Sequence, residues 1–361
     1  MTATGNTVLI MAGGTGGHIY PGLAFADALR EKGVGVRWLG AEGGMECSRV
    51  AAVNIPLDLV RISGVRGKGI RSWLRLPFRL LRAVLDARAS LKRNRPDCAV
   101  SFGGYVAGPG GLAAWSRGIP LVVHEQNRIP GLTNRVLARL ARKVLQAFPG
   151  TFTDGLAQTC GNPVRDAVVS MAAPSERFEN RSGSPRLLVT GGSQGARSLN
   201  QCIPAAVALL PEGLRPMVWH QSGRSDVDDT IALYKKSGVE ARVEPFIEDM
   251  ASAYSWADLV ICRSGALTIS ELAAAGLGSV LVPFPHAVDD HQAANAEVLV
   301  AAGAARMIRE TGLTPPALAE VLEGLLGNRD QLLLMANKAR KQAVLDSAQK
   351  VVAACSEWFE S

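Results

Sequence analysis

Two glycine-rich turns stand about half a chain apart, and each directly follows a short apolar run. Val8-Leu9-Ile10-Met11 leads into Gly13-Gly14-Thr15-Gly16-Gly17-His18, and Arg186-Leu187-Leu188-Val189-Thr190 leads into Gly191-Gly192-Ser193-Gln194-Gly195. A helical pattern opens after each, Leu23 to Leu29 and Leu199 to Leu210. A strand, a tight turn and a helix start leave several backbone N–H groups unpaired and aimed outward, where an anion can take them up. The repetition predicts two similar α/β domains facing each other, with a phosphorylated ligand between them.

The rest of the chain supports that reading. Its 361 residues exceed the roughly 250–300 at which single cores stop growing. Val36–Leu39, Leu57–Val60, Ala99–Phe102, Leu121–His124 and Val144–Phe148 read as short buried strands in the first half. Leu187–Thr190, Met217–His220, Ala241–Glu244, Leu259–Cys262 and Val280–Pro283 repeat the pattern in the second. Strands alternating with helices predict doubly wound parallel sheets with a cleft at the carboxyl ends of their strands. Ala173–Pro185, rich in Ser, Pro and charge, reads as an exposed loop, and the tail from Asp330 to Phe359 as largely helical.

Charge is unevenly placed. The net charge is +7, yet residues 1–163 carry +12 and the remainder −5. Residues 66–95 hold ten basic residues against one acidic, Asp86. The excess is a local feature that needs a partner. Six scattered cysteines, without CxxC or metal-ligand spacing, read as reduced buried thiols of a cytoplasmic protein. Neither a signal-peptide layout nor a run of roughly 20 apolar residues is present.

Several familiar signatures match incompletely. Ile19 stands where a dinucleotide fingerprint needs a small residue, and Ala196-Arg197-Ser198 replaces the Gly-Lys-Ser of a triphosphate loop. Gly191 to Gly195 satisfies the Gly-x-Ser-x-Gly elbow of a hydrolase, with Ser193 as nucleophile. In Arg263-Ser264-Gly265-Ala266-Leu267-Thr268-Ile269-Ser270-Glu271, Thr268 and Glu271 have the spacing of a capping box. The same helix start offers N–H groups to an anion, with Glu271 placed to accept from sugar hydroxyls. Gln292 and Asn295 share a helix face suited to a carbohydrate, while His286 and His291 lack a third ligand for a metal.

Six motifs occur in order: Gly-Gly-Thr-Gly-Gly-His at 13–18, Ser-Phe-Gly-Gly-Tyr at 101–105, His-Glu-Gln-Asn at 124–127, Gly-Asn-Pro-Val-Arg at 161–165, Gly-Gly-Ser-Gln-Gly-Ala at 191–196 and Arg-Ser-Gly-Ala-Leu-Thr-Ile-Ser-Glu at 263–271. Together, over essentially the whole chain, they closely resemble the MurG family of the GT-B superfamily. That family transfers N-acetylglucosamine from UDP-N-acetylglucosamine to lipid I, making lipid II for peptidoglycan. The resemblance implies an N-terminal acceptor domain over 1–163, a donor domain over 164–340, and a C-terminal helix over 341–361 packing back toward the first. It places the donor against Ser193, Arg165, Ile247, Ala266, Leu267, Thr268, Ile269, Ser270, Glu271 and Gln292, approached by Thr15, Gly16, Gly17 and Asn127. Gly104, Tyr105 and Asn127 would position the acceptor. His18 is the hypothesised base, its alternative being a positioning role or a bond that holds the glycine turn. No cofactor or protein-held metal is implied, and stimulation by divalent ions is compatible with the site. A UDP-sugar epimerase on the same scaffold and a serine hydrolase using Ser193 are the competing readings.

The basic segment fits a lipid-linked acceptor. Ile70, Trp73, Leu74, Phe78 and Leu81 interleave with Arg75, Arg79 and Arg82. No nucleic-acid recognition fold accompanies the charge. An anionic membrane surface explains both residue types, each basic residue near it contributing about 1 kcal/mol. The expectation is peripheral attachment to the cytoplasmic face of the inner membrane, with other cell-wall or division proteins as partners by pathway.

Overall fold

The computed structural model describes residues 6–62, 76–153, 155, 157–179, 181–192 and 194–360. The chain divides into two compact units, one built from 1–165 and 346–361, the other from 166–345.

The first unit carries a seven-stranded parallel sheet. Its strands are β1 (Thr7–Ala12), β2 (Gly35–Ala41), β3 (Leu57–Val60), β4 (Cys98–Gly103), β5 (Leu121–Glu125), β6 (Lys143–Gln146) and β7 (Ala157–Thr159), in spatial order β3-β2-β1-β4-β5-β6-β7. Alternate side chains of β1 serve opposite faces. Val8 and Ile10 join Phe25, Leu29, Trp38 and Phe102 in one layer, while Leu9 and Met11 join Ala83, Ala87 and Leu91 in the other. Both faces are covered, so the strands read as continuous apolar runs.

The second unit carries β8 (Arg186–Thr190), β9 (Met217–Gln221), β10 (Ala241–Glu244), β11 (Leu259–Cys262), β12 (Gly278–Leu281) and β13 (Ala305–Met307), in order β10-β9-β8-β11-β12-β13. All pairings are parallel. In each unit the strand order reverses beside the strand that feeds a glycine turn, between β1 and β4 and between β8 and β11. Ligands of open α/β sheets bind at such reversals.

The eleven strands read from the sequence are present; β7 and β13 are additional. Each is three residues long, too short to announce itself as an apolar run. The expected loop over Ala173–Pro185 instead contains the helix Pro174–Glu179, whose Arg177 donates to the carbonyls of Ala275 and Gly276. Two carbonyls at the C-terminal end of a helix are thereby satisfied, which draws the segment inward.

The last helix, Ser347–Cys355, packs on the Gly16–Glu31 helix of the first unit. Val351, Val352, Cys355 and Phe359 are part of the same apolar layer as Phe25 and Leu29. Ser347 donates to the Asn162 carbonyl at 2.9 Å, and the Asn6 side chain donates to the Phe359 carbonyl. All six cysteines are free thiols, and burial pushes Cys160 and Cys262 up to about 12. Replacement of the 2%-exposed Phe359 by Ala is expected to cost the first unit about 3–5 kcal/mol. Denaturant unfolding should then show that unit melting earlier, with the transition of the second unit in place.

Candidate active site

The helix Gly16–Glu31 starts directly from the first glycine turn. Thr15 is its extended N-cap, and the Thr15 carbonyl accepts from the N–H groups of His18 and Ile19 at 3.1 and 3.2 Å. The N–H groups of Gly16 and Gly17, in the first turn, have no acceptor within the helix. His18 Nδ1 lies 3.2 Å from the Gly13 carbonyl oxygen and 3.3 Å from the Thr15 hydroxyl. A carbonyl oxygen can only accept, whereas the Thr15 hydroxyl can donate or accept, so the tautomer that satisfies both contacts carries its proton on Nδ1 and leaves Nε2 as the basic nitrogen of the neutral ring.

The turn after β4 closes over this histidine. A Cβ at Gly103 would stand 3.3 Å from His18 Cδ2 and 3.2 Å from Asn134 Nδ2. The Tyr105 ring lies against Gly14, and burial, reinforced by the Glu46 carboxylate, pushes its phenol above the ordinary range. Tyr105 therefore stays a hydroxyl donor at neutral pH.

Glu125, at the end of β5, organises the neighbouring loop. One carboxylate oxygen accepts from the Asn127 backbone N–H at 2.9 Å and from Asn127 Nδ2 at 3.1 Å; the other accepts from the Gly131 N–H and from Asn134 Nδ2. Asn134 Oδ1 in turn accepts from Ser101 at 2.9 Å. His18, Gly103, Asn134, Glu125 and Asn127 thus form one connected constellation. Glu125 and Asn134 were not among the expected site residues. A carboxylate at the carboxyl end of a parallel strand was the available signal.

In the second unit, the helix Ala266–Ala275 has Gly265 as an extended N-cap, with no side-chain cap bond. The expected capping box does not form. Gly265 takes the cap position because its carbonyl already accepts the Ile269 N–H at 3.0 Å, which places Thr268 and Glu271 inside the helix. The N–H groups of Ala266, Leu267 and Thr268 consequently lack acceptors within the helix. Glu271 is 4% exposed and accepts from the Tyr254 hydroxyl at 3.1 Å. Ile269 is buried, and Ser270 donates its hydroxyl back to the Ala266 carbonyl at 3.0 Å.

Gln292 receives the Phe284 N–H on its side-chain oxygen at 2.9 Å, and its backbone carbonyl accepts from Ser264 at 2.8 Å. Asp289 and Asp290, just before its helix, both sit at φ 53, a left-handed conformation that non-glycine residues seldom adopt. Arg263 donates to the Val282 and Pro283 carbonyls and pairs with Glu310 at 2.5 Å, making it a strut between loops. The second glycine turn is equally braced. A Cβ at Gly195, φ +77, would stand 2.0 Å from the Ser222 carbonyl oxygen, and Gln221 donates to the Gly192 carbonyl at 2.7 Å.

Other expected residues fall as follows. Ile247 is buried in the loop after β10, just before Asp249 caps the helix Met250–Trp256. Arg165 belongs to the first unit, its guanidinium 5.2 Å over the Tyr20 ring. Phe78 and Leu81 are exposed on the helix Leu76–Asn94, together with Leu85. Ser193, Ile70, Trp73, Leu74 and Arg75 lie outside the described residues.

Two doubly wound parallel sheets, each with a glycine turn and an open helix start at its strand reversal, define a GT-B glycosyltransferase. Residues 8–146 match the glycosyltransferase family 28 N-terminal domain, and residues 186–351 match the family 28 C-terminal domain. The chain belongs to glycosyltransferase family 28 and, within it, to the family of UDP-N-acetylglucosamine–N-acetylmuramyl-(pentapeptide) pyrophosphoryl-undecaprenol N-acetylglucosamine transferases. A relative of that name from Marinobacter nauticus is 55% identical over 97% of this chain and 96% of its own. The crystal structure of Acinetobacter baumannii MurG superposes with a TM-score of 0.83 at 41% identity, covering 98% of this chain and 99% of that one. A UDP-GlcNAc 2-epimerase from Neisseria meningitidis matches at TM-score 0.67 but 12% identity, over 97% of this chain and all of its own, a likeness of fold alone. The family assignment favours glycosyl transfer over the epimerase and hydrolase alternatives.

Two buried histidines near these loops fix a pH dependence. Burial lowers His124 to about 4 and His220 to about 3 from the ordinary 6.5. His124 sits between the Gly161 carbonyl and Gln126; His220 sits between Tyr234 and Asn200. Depressed folded-state values mean that the unfolded chain takes up these protons first. The stability they contribute is complete above about pH 6.5 and is lost as pH falls toward 4, about 3 kcal/mol for His124. Urea titrations from about pH 7 to about pH 4.5 should show this decline, and His124→Asn should flatten it.

Proposed function

We infer that this protein is an inverting transferase that moves N-acetylglucosamine from UDP-N-acetylglucosamine to the MurNAc 4-hydroxyl of lipid I, giving lipid II. The observation that carries this reading is the pairing of a histidine whose Nε2 is its basic nitrogen, in one unit, with an open helix start beside a buried glutamate, in the other. One arrangement suits deprotonation of a hydroxyl, the other a leaving diphosphate and its ribose.

The acceptor hydroxyl oxygen attacks C1 of the donor sugar, and the C1–O bond to the diphosphate breaks with inversion. The hydroxyl proton passes to His18 Nε2, and UDP departs carrying the bonding electron pair. Charge grows on the leaving diphosphate as that bond lengthens. N–H donors at Ala266, Leu267 and Thr268, fixed before the reaction, stabilise it along with the helix dipole and Arg165. Ser193 and its glycine turn contact the same diphosphate. Glu271 accepts from ribose hydroxyls, Ile247 presents its backbone to uracil, and Gln292 binds the sugar. Tyr105, Gly104 and Asn127 orient the acceptor, while Thr15, Gly16 and Gly17 approach the donor. Incubation of labelled UDP-N-acetylglucosamine with a lipid I analogue should yield lipid-linked label; free sugar or an epimer in its place would refute the assignment. His18→Ala should lower kcat by about 10²–10⁴-fold while leaving UDP-N-acetylglucosamine affinity nearly unchanged.

The acceptor's lipid anchor places the first unit at a membrane surface. No helix among the described residues is long and apolar enough to cross a membrane. Phe78, Leu81 and Leu85 are 76%, 59% and 57% exposed at i, i+3 and i+7 of one helix, with Arg79 and Arg82 beside them. The adjoining helix Ala107–Trp115 ends in Trp115, 55% exposed. Apolar side chains entering the interface and arginines meeting anionic headgroups give reversible peripheral attachment on the cytoplasmic face, where the sugar nucleotide resides. Replacing Phe78, Leu81 and Leu85 together by Ser should weaken sedimentation with anionic vesicles by at least about tenfold, without affecting turnover of a short-chain, water-soluble acceptor.

A further inference from the structure

Glu46 is completely buried beneath the first glycine turn. Its Oε1 accepts the Ala41 N–H at 2.8 Å, and its Oε2 accepts the Gly14 N–H at 3.3 Å. Two oxygens that both receive N–H donors have the pattern of a carboxylate, which accepts on both sides. Three glycines clear its space. A Cβ at Gly13 would stand 2.5 Å from Oε1, one at Gly40 2.7 Å from Cγ, and one at Gly44 2.5 Å from Cδ and both oxygens. None of the three has a positive φ, so backbone conformation does not demand glycine there. The side chain of Glu46 does. Burying such a group costs several kcal/mol before its partners compensate, which makes its place at the edge of the site informative.

The peptide joining Gly13 to Gly14 connects this carboxylate to the base. Its N–H donates to Glu46, and its carbonyl accepts from His18 Nδ1 at 3.2 Å. The peptide is trans, so these two groups point in opposite directions. Carboxylate, peptide and imidazole therefore stand in sequence along one hydrogen-bonded chain. We propose that Glu46 is a positioning residue for His18, acting through the Gly13–Gly14 peptide. Its charge polarises the amide and strengthens the Gly13 carbonyl as an acceptor, as successive hydrogen bonds reinforce one another. The carbonyl then holds the proton on Nδ1, keeps Nε2 as the nitrogen that receives the acceptor's proton, and stabilises the imidazolium once formed. A carboxylate bonded directly to a catalytic histidine does the same work in a Ser-His-Asp triad; here a peptide group stands between them.

This proposal rests on His18 being the base, and the experiments separate the two. In long-range ¹H–¹⁵N spectra of the wild-type enzyme, the neutral His18 ring should be the Nδ1–H tautomer, with His18→Ala identifying its signals among the five histidines. A ring protonated on Nε2 would overturn the proposal without need of any variant. Glu46→Gln places an amide NH₂ against one of two N–H donors and removes the charge. It should lower kcat by about 10–100-fold, leave KM for UDP-N-acetylglucosamine within about twofold, and shift the His18 tautomer toward Nε2–H. Loss of activity with the tautomer unmoved would make Glu46 merely structural and defeat the proposal. So would wild-type kcat in Glu46→Gln when His18→Ala is inactive. Full turnover by His18→Ala would instead defeat the reading of His18 as base.

Discussion

A parallel sheet that reverses its strand order leaves helix starts uncovered, and those starts carry N–H groups that the helix itself cannot satisfy. Both units are built around that constraint, at β1/β4 and at β8/β11. Most of what is assigned to the reaction follows strand ends next to those reversals; Arg165 and Ile247, which follow the edge strands β7 and β10, are the exceptions. Thr15 and His18 follow β1, Gly104 and Tyr105 follow β4, and Asn127 follows β5; the Gly265–Glu271 segment follows β11, and Gln292 follows β12. The chemistry is located by topology before any side chain is considered. Side chains then decide what each opening does.

The central strands were legible because they are buried on both faces and so appear as largely apolar runs. β7 and β13 were not, being short and set at the sheet edges. Local pattern misplaced one helix start. The spacing of Thr268 and Glu271 imitates a capping box, but the chain enters helical conformation as soon as β11 releases it, and Gly265 becomes the cap. A local motif cannot reveal where the preceding strand stops. The same limit hid Glu125, Asn134, Tyr254 and Glu46. Their roles come from contacts such as Glu125 to Asn134, Tyr254 to Glu271 and Glu46 to Gly14, each spanning 9 to 32 positions. Residue types advertise that a carboxylate exists; only the fold says which N–H it meets.

The uneven charge has a related logic. Most of the basic excess lies in the first unit, and it is concentrated in the segment that includes the exposed face of the Leu76–Asn94 helix. Two carboxylates of that unit are placed inward by contrast: Glu46 and Glu125 are at most 2% exposed and are occupied by backbone and amide donors. Two negative charges are thus fixed within the site loops, while basic residues such as Arg82, Lys92 and Arg93 are exposed on that helix. A basic surface of this kind favours anionic partners, and the interior charges remain fixed where hydrogen bonds hold them.

The two glycine turns, which share a Gly-Gly-x-x-Gly pattern, stand in different surroundings. In the second unit the turn is braced from behind by Gln221 and the Ser222–Gly223 segment, and its neighbouring helix start presents unsatisfied N–H groups. In the first unit the Gly14 N–H already has an anion, the internal carboxylate of Glu46. A phosphate competing for that same N–H would meet a like charge at close range, which is unfavourable in a buried setting. In the proposed reaction the first turn therefore organises an imidazole, and the second a leaving diphosphate. One motif supplies both halves of a displacement because an oriented N–H is indifferent to whether its anion comes from the protein or from the substrate. The presence of Glu46, together with the three glycines that make room for it, determines which.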